Sequence, residues 1–166
     1  MMRSNSTSKI CGGEPEHRPR IVKVEEILRE TPTVKSIVFR DDRCSRARPG
    51  QFAMVWLPGV DEIPFSLLGS DDKREARIVV KAVGKATRAL CSINQGDMIG
   101  VRGPYGNWFL HRKNRRYLFV AGGTGLVPIL QFLQEFSGRA YGTLVAGFKT
   151  RAEMLLFDPA RMHVDS

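Results

Sequence analysis

Cysteine is scarce in this chain and poorly placed for joint work. Cys11, Cys44 and Cys91 are odd in number and far apart, with no Cys-x-x-Cys pair among them. Neither a disulfide framework nor a zinc or iron-sulfur site can be read from them, so no metal is expected and the three are taken as reduced thiols. Long apolar runs are missing too: none approaches a membrane span, and Met1-Met2-Arg3-Ser4-Asn5-Ser6-Thr7-Ser8 holds no apolar stretch of signal-peptide length. The expectation is a cytoplasmic protein without membrane contact. Acidic residues fall short, 17 against 26 Lys and Arg, for a formal net charge of +9. That surplus raises nucleic acid as a partner. Its two densest clusters are Arg40, Arg43, Arg46 and Arg48, and His111, Arg112, Lys113, Arg115 and Arg116. Neither is interleaved with aromatics or set in a nucleic-acid motif, which leaves a solvated loop and a charged linker as the expectation. A phosphate-bearing cofactor or an acidic partner subunit suits the charge better than nucleic acid. His17, His111 and His163 stand apart from one another and receive no role.

What is present is enough for a core. At 166 residues, 42% hydrophobic and 26% charged, the chain can form one domain or two small ones. Residues 1–18 are poor in apolar side chains and are expected as a mobile tail. Strands are predicted from β-branched content at residues 21–24 and 34–39, with Thr31-Pro32-Thr33 as the turn between them. Pro49-Gly50 leads into residues 51–57, a run apolar on both faces that suits a buried strand. Further strands are predicted at 65–68, 77–83 and 98–102, with a short helix over 87–93. Short strands at this spacing, divided by turn signals, argue for an antiparallel barrel or sandwich. After about residue 112 the pattern changes to strand 117–121, helix 126–136, strand 143–148 and an amphipathic piece over 151–157. Alternating strand and helix implies parallel pairing through a right-handed crossover.

Two glycine-rich turns lie one short segment apart, Gly103-Pro104-Tyr105-Gly106-Asn107 and Gly122-Gly123-Thr124-Gly125-Leu126-Val127-Pro128. The second follows the apolar run 117–121 directly. Glycine lacks a Cβ and takes positive φ, so the backbone can bend off the strand and come close to a ligand. Pro128 falls in the first helical turn, where its missing N–H costs nothing. A helix starting there points unpaired N–H groups and a positive dipole end at the turn, as a phosphate or nicotinamide would require. The third glycine of a Gly-x-Gly-x-x-Gly pattern is replaced by that proline, so a tight strand-to-helix connection without a ligand stays open.

Taken together, Pro49-Gly50-Gln51-Phe52, Trp56-Leu57-Pro58-Gly59, Pro64-Phe65-Ser66, Val83-Gly84-Lys85-Ala86-Thr87, Gly103-Pro104-Tyr105-Gly106 and Ala121-Gly122-Gly123-Thr124-Gly125 resemble the ferredoxin-reductase-like flavoproteins. Over roughly residues 18–157 the resemblance is to the electron-transfer subunits of dihydroorotate dehydrogenases. It implies an antiparallel Greek-key FAD-binding barrel over residues 19–111, then a partial Rossmann-like module over 112–166 that binds NAD. It implies no catalytic side chain of the chain's own, since the cofactor carries the chemistry. Pro64, Phe65 and Ser66 would line the isoalloxazine. Val80, Lys81, Gly84, Ala86 and Thr87 would lie along the FAD, with its pyrophosphate against the turn and helix start at 84–87. Gly122, Gly123, Thr124 and Gly125 would meet NAD. The implied partner is an FMN-containing dihydroorotate dehydrogenase catalytic subunit, or another redox subunit. The plainer alternatives are an ordinary turn into a strand at 64–66, a simple helix cap at 84–87 and a solvated Lys81.

Two departures from the pattern shape the expectation. Where the family has an arginine facing the flavin phosphates, this chain has Ile63, and an apolar side chain cannot make that bidentate contact. FAD would then depend on Lys81, Lys85, Arg88 and backbone donors. The chain also stops at Ser166, ahead of the further strands and the cysteine-rich segment that the resemblance implies. NAD binding is therefore expected to be incomplete, a [2Fe-2S] cluster is not supported, and the strand at 143–148 is left as an edge through which copies could pair. Two other functions remain: a barrel without flavin serving as an interaction module, and a nucleic-acid binder.

Overall fold

The computed structural model describes residues 18–70, 72–139 and 141–154. Six strands, β1 (Arg20–Thr31), β2 (Val34–Arg40), β3 (Phe52–Leu57), β4 (Asp61–Gly69), β5 (Glu75–Lys81) and β6 (Met98–Tyr105), close into an antiparallel barrel. Their order around it is β1-β2-β5-β4-β3-β6. Helix α1 (Lys85–Ser92) crosses from β5 to β6. Strand β7 (Arg116–Gly122), helix α2 (Val127–Glu135) and strand β8 (Tyr141–Gly147) follow, with β7 and β8 parallel. The antiparallel barrel and the parallel pair are the architecture that the strand spacing and the glycine turn predict.

The core follows from the two-residue period of a strand. Ile37 and Phe39, Ala53 and Val55, Ile78 and Val80, and Ile99 and Val101 all point inward and are buried together. Each of these side chains except Ala53 contributes about 1.5–3 kcal/mol through its burial. A second cluster lies outside the barrel wall, where Val34, Leu68 and Val79 pack against Leu126, Val127 and Leu130. Strands β2, β4 and β5 are thus buried on both faces. The run at 51–57 differs from its expectation, because β3 buries Ala53 and Val55 while Met54 and Trp56 on its outer face stay half-exposed.

Strand β1 is much longer than residues 21–24. Arg20 to Lys23 pair with β6 and Val24 to Thr31 with β2, with irregularities between Val24 and Glu26 and between Arg29 and Thr31. Those bulges bend one strand across two neighbours and close the barrel. The charged stretch Glu25-Glu26-Ile27-Leu28-Arg29-Glu30 lacks clean alternation, which hid the second half of the strand. The turn at 31–33 stands as predicted, with the Thr33 N–H donating to Thr31 Oγ1 at 3.3 Å.

Helix α1 starts two residues earlier than the 87–93 prediction. Thr87 Oγ1 accepts the N–H groups of Val83 (3.0 Å) and Gly84 (2.9 Å), which sets Gly84 as the N-cap. At the other end Lys35 Nζ donates to the Cys91 carbonyl at 2.5 Å, adding a cation where the dipole is negative. Helix α2 begins at Val127 after a 3-10 turn over Gly123–Leu126, and Pro128 falls in its first turn as expected. The amphipathic piece at 151–157 is seen as a 3-10 turn, Arg151–Glu153. Residues 155–157, the tail at 1–17, Cys11, His17 and His163 lie outside the described residues.

Candidate functional site

Two glycine-bearing surfaces adjoin the end of β5 at Lys81. The first begins on β4. The β4–β5 ladder runs over Leu67↔Ile78, Leu68↔Arg77 and Gly69↔Ala76, and among the described residues it goes no further. Continuing that register sets Ser66 opposite Val79 and Pro64 opposite Lys81. Pro64, Phe65 and Ser66 are therefore held by β3, through Met54, Ala53 and Phe52, while their other edge is free of a ladder. Pro64 is exposed, and Phe65 packs beside Ile63 against the barrel core.

Helix α1 touches both β4 and β5, and its N-cap Gly84 follows the last residue of β5, Lys81, after a short connection. The first intrahelical bond is Arg88 N–H to Gly84 O at 2.9 Å, which leaves the amides of Lys85, Ala86 and Thr87 without helical partners. Lys85 and Arg88 are exposed, and Ala86 is half-buried. The hydroxyl of Thr87 is committed to the cap. A diphosphate could meet backbone donors and two free-standing cations here, a sufficient donor set although Ile63 is apolar.

The second surface is a cavity of about 410 Å³ between the barrel and the parallel pair. Gly122, Gly123 and Gly147 at the carboxyl ends of β7 and β8 line it, with Phe148, Lys149, Lys81 and Glu153. Gly123 has a φ of +51°, and a Cβ placed at Gly122, Gly123 or Gly125 would meet nothing within 4 Å. The backbone there faces open space, which a ligand needs for close approach. Lys81 reaches across from β5 to Glu153, with Nζ to Oε2 at 3.3 Å. It therefore belongs to this cavity as well as to the α1 surface. Thr124 lies in the 3-10 turn before α2.

Phe148, Lys149 and Glu153 went unrecognised in the sequence. A usable signal was there: they follow β8, and ligands of open parallel sheets bind beyond the carboxyl ends of the strands. Glu62 was likewise passed over. It forms a bidentate pair with Arg102 across β3, and that hydrogen-bonded pair holds its carboxyl below the usual carboxylate range.

A closed antiparallel barrel followed by a glycine-ended parallel pair defines the ferredoxin-reductase-like fold. Ferredoxin-NADP+ reductase of Plasmodium falciparum superposes with a TM-score of 0.73 at 18% identity, covering 83% of this chain and 62% of that one. Phthalate dioxygenase reductase, which passes electrons from pyridine nucleotides to [2Fe-2S], gives 0.75 at 18% identity over 87% of this chain and 48% of its own. No family model matches the chain. In sequence it is 42% identical over 142 residues to a probable dihydroorotate dehydrogenase B (NAD(+)) electron transfer subunit of Methanocaldococcus jannaschii, covering 85% of this chain and 52% of that protein. The counterpart in Thermococcus kodakarensis is 38% identical over 140 residues, 84% of this chain and 57% of its own. The relatives of this chain at 36–42% identity are dihydroorotate dehydrogenase B electron transfer subunits, and the chain spans about half the length of these relatives.

Proposed function

We propose that this chain is the flavin-binding part of an electron-transfer subunit, holding FAD on the barrel and passing electrons between a dihydroorotate-oxidising partner subunit and a nicotinamide dinucleotide. The observation that carries this reading is the ladder-free edge of residues 64–66, opposite the end of β5 from which the chain runs into the capped N-terminus of α1. FAD, when bound, accepts and releases the electrons. The protein positions it and supplies charge.

In this reading Pro64, Phe65 and Ser66 support the flavin ring, with Lys81 on the facing strand and Val80, whose side chain is buried in the barrel core, offering only its backbone. Amides 85–87, the side chains of Lys85 and Arg88, and Gly84 with small Ala86 accommodate the diphosphate. Thr87 acts through the cap, keeping the helix start rigid. The cavity at Gly122, Gly123, Thr124 and Gly125 takes the nicotinamide dinucleotide, whose phosphates would compete with Glu153 for Lys81. The division of labour falls near residue 112, between β6 and β7. The family names of the relatives and the basic surplus of the chain support this assignment.

Titration of flavin-free protein with FAD, followed by quenching of flavin fluorescence, tests it. Saturable one-to-one uptake is expected, and Lys85→Glu with Arg88→Glu should weaken it about tenfold or more, since hydrogen bonds to charged groups contribute about 1.5–3 kcal/mol each. A wild-type chain that takes up no FAD would sink the reading.

A further inference from the structure

We propose that Trp108, Phe109 and Leu110, together with Arg48 and the basic run at residues 112–116, form the surface on which an acidic partner subunit docks. The proposal rests on the electron-transfer-subunit reading, because that reading requires a second chain.

These three side chains follow β6 and are 43%, 45% and 64% exposed. Isolated exposed apolar side chains are ordinary, but three in succession form a patch. This patch is held in place. The Phe109 N–H donates to the Pro49 carbonyl at 2.8 Å, and Gln51 Nε2 donates to the Gly106 carbonyl at 3.0 Å. The Phe109 ring lies against Gly50, where an added Cβ would sit 3.0 Å from two of its atoms. Arg48 places its guanidinium 4.5 Å from the centre of the Trp108 ring. A surface already ordered in the free protein loses little conformational freedom when a partner covers it.

The charge around the patch has one sign. No Asp or Glu occurs between Asp97 and Glu135, while Arg112, Lys113, Arg115 and Arg116 do. All four are exposed, and among the described residues none of them has an ion pair. The run is anchored at its start, where the Arg112 N–H donates to Tyr117 Oη at 2.6 Å. An apolar centre containing Trp and Arg, followed directly in the chain by exposed cations without an ion pair among the described residues, matches a protein surface with an apolar depression and a carboxylate rim. A nucleic acid would require open stacking faces, and here Arg48 covers one face of Trp108 and Gly50 lies against the Phe109 ring. A lipid surface would require the apolar tip free of a stacked guanidinium.

The test compares the FAD-treated wild-type chain with two variants, Trp108→Ala and the double Arg112→Glu, Arg115→Glu. Each is titrated with the dihydroorotate dehydrogenase catalytic subunit of the same organism, with phosphatidylcholine–phosphatidylglycerol vesicles and with a short DNA duplex, at low and physiological salt. FAD uptake is measured on the same preparations. The wild type is expected to bind the catalytic subunit, and each variant to bind it about tenfold or more weakly with FAD uptake unchanged. The double variant should also lose most of the salt dependence. Equal binding of the subunit by all three proteins, no binding of it by the wild type, or variant-sensitive binding to vesicles or duplex in its place would overturn the proposal. A wild type that takes up no FAD yet binds the subunit in a variant-sensitive way would refute the flavin assignment and uphold the docking surface.

Discussion

The side chains that hold the barrel's seam are Arg20, Asp41 and Cys44. Arg20 donates to both Asp41 oxygens, at 2.7 and 2.9 Å, and to the Gly103 carbonyl at 3.0 Å, while the Cys44 N–H donates to Asp41 at 2.8 Å. Burial works against the charged Asp41, yet the Arg20 guanidinium and the Cys44 amide outweigh it and hold the carboxyl below its ordinary value of 3.8. Burial, reinforced by Asp41, pushes the Cys44 thiol up to about 12, so it stays protonated and acts as a small apolar group. A lowered folded-state value means that the ionised Asp41 adds its full stability above 3.8 and loses it as the pH falls through the lower folded value. Asp41→Asn is expected to cost about 2 kcal/mol at neutral pH. Urea unfolding across the acid range should show the wild-type and variant curves converging as the pH falls below 3.8 and through the lower folded value; a constant gap would refute the argument. None of this network was anticipated, because its members lie on β1, the β2–β3 connection and the end of β6.

At the scale of the element, turns and caps were legible wherever one residue type does the work. Pro128 placed the first turn of α2 and Thr87 the start of α1, the latter two residues out because the hydroxyl caps backward onto Val83 and Gly84. The parallel pair β7–β8 was legible from its glycines and apolar runs, but its closest constraint was not. A Cβ on Gly142 would sit 2.3 Å from the Tyr117 carbonyl oxygen. Gly142→Ala is therefore expected to push β8 away from β7 at a cost of about 1–3 kcal/mol. Amide hydrogen exchange checks this: protection should fall in residues 117–121 and 142–147 and persist through the barrel. Unchanged protection in β8 would contradict the geometry.

At the scale of the whole molecule, among the described residues the barrel and the α/β part are joined by an apolar cluster, the Lys81–Glu153 ion pair and a hydrogen bond from Gln131 Nε2 to the Ala47 carbonyl at 2.7 Å. Leu126 is fully buried against Val34, Leu68 and Val79, and Lys81 meets Glu153 over the cavity. Truncating Leu126 to Ala leaves a cavity in that junction, and a loss of about 2–5 kcal/mol is expected. A lower urea midpoint would report it; a midpoint matching the wild type would show that the two parts do not depend on this cluster.

The period-two burial, the glycine bends and the helix caps were determined by the sequence alone, because each depends on residues within a few positions of one another. The closure of β1 across two neighbours, the free edge of residues 64–66, the turning of Lys81 toward Glu153 and the seating of Phe109 on Gly50 were decided only by the tertiary structure. Those contacts join positions as far apart in the chain as Arg20 and Val101. Their partners are selected by how the barrel closes, a property of all six strands together that no local stretch of chain contains.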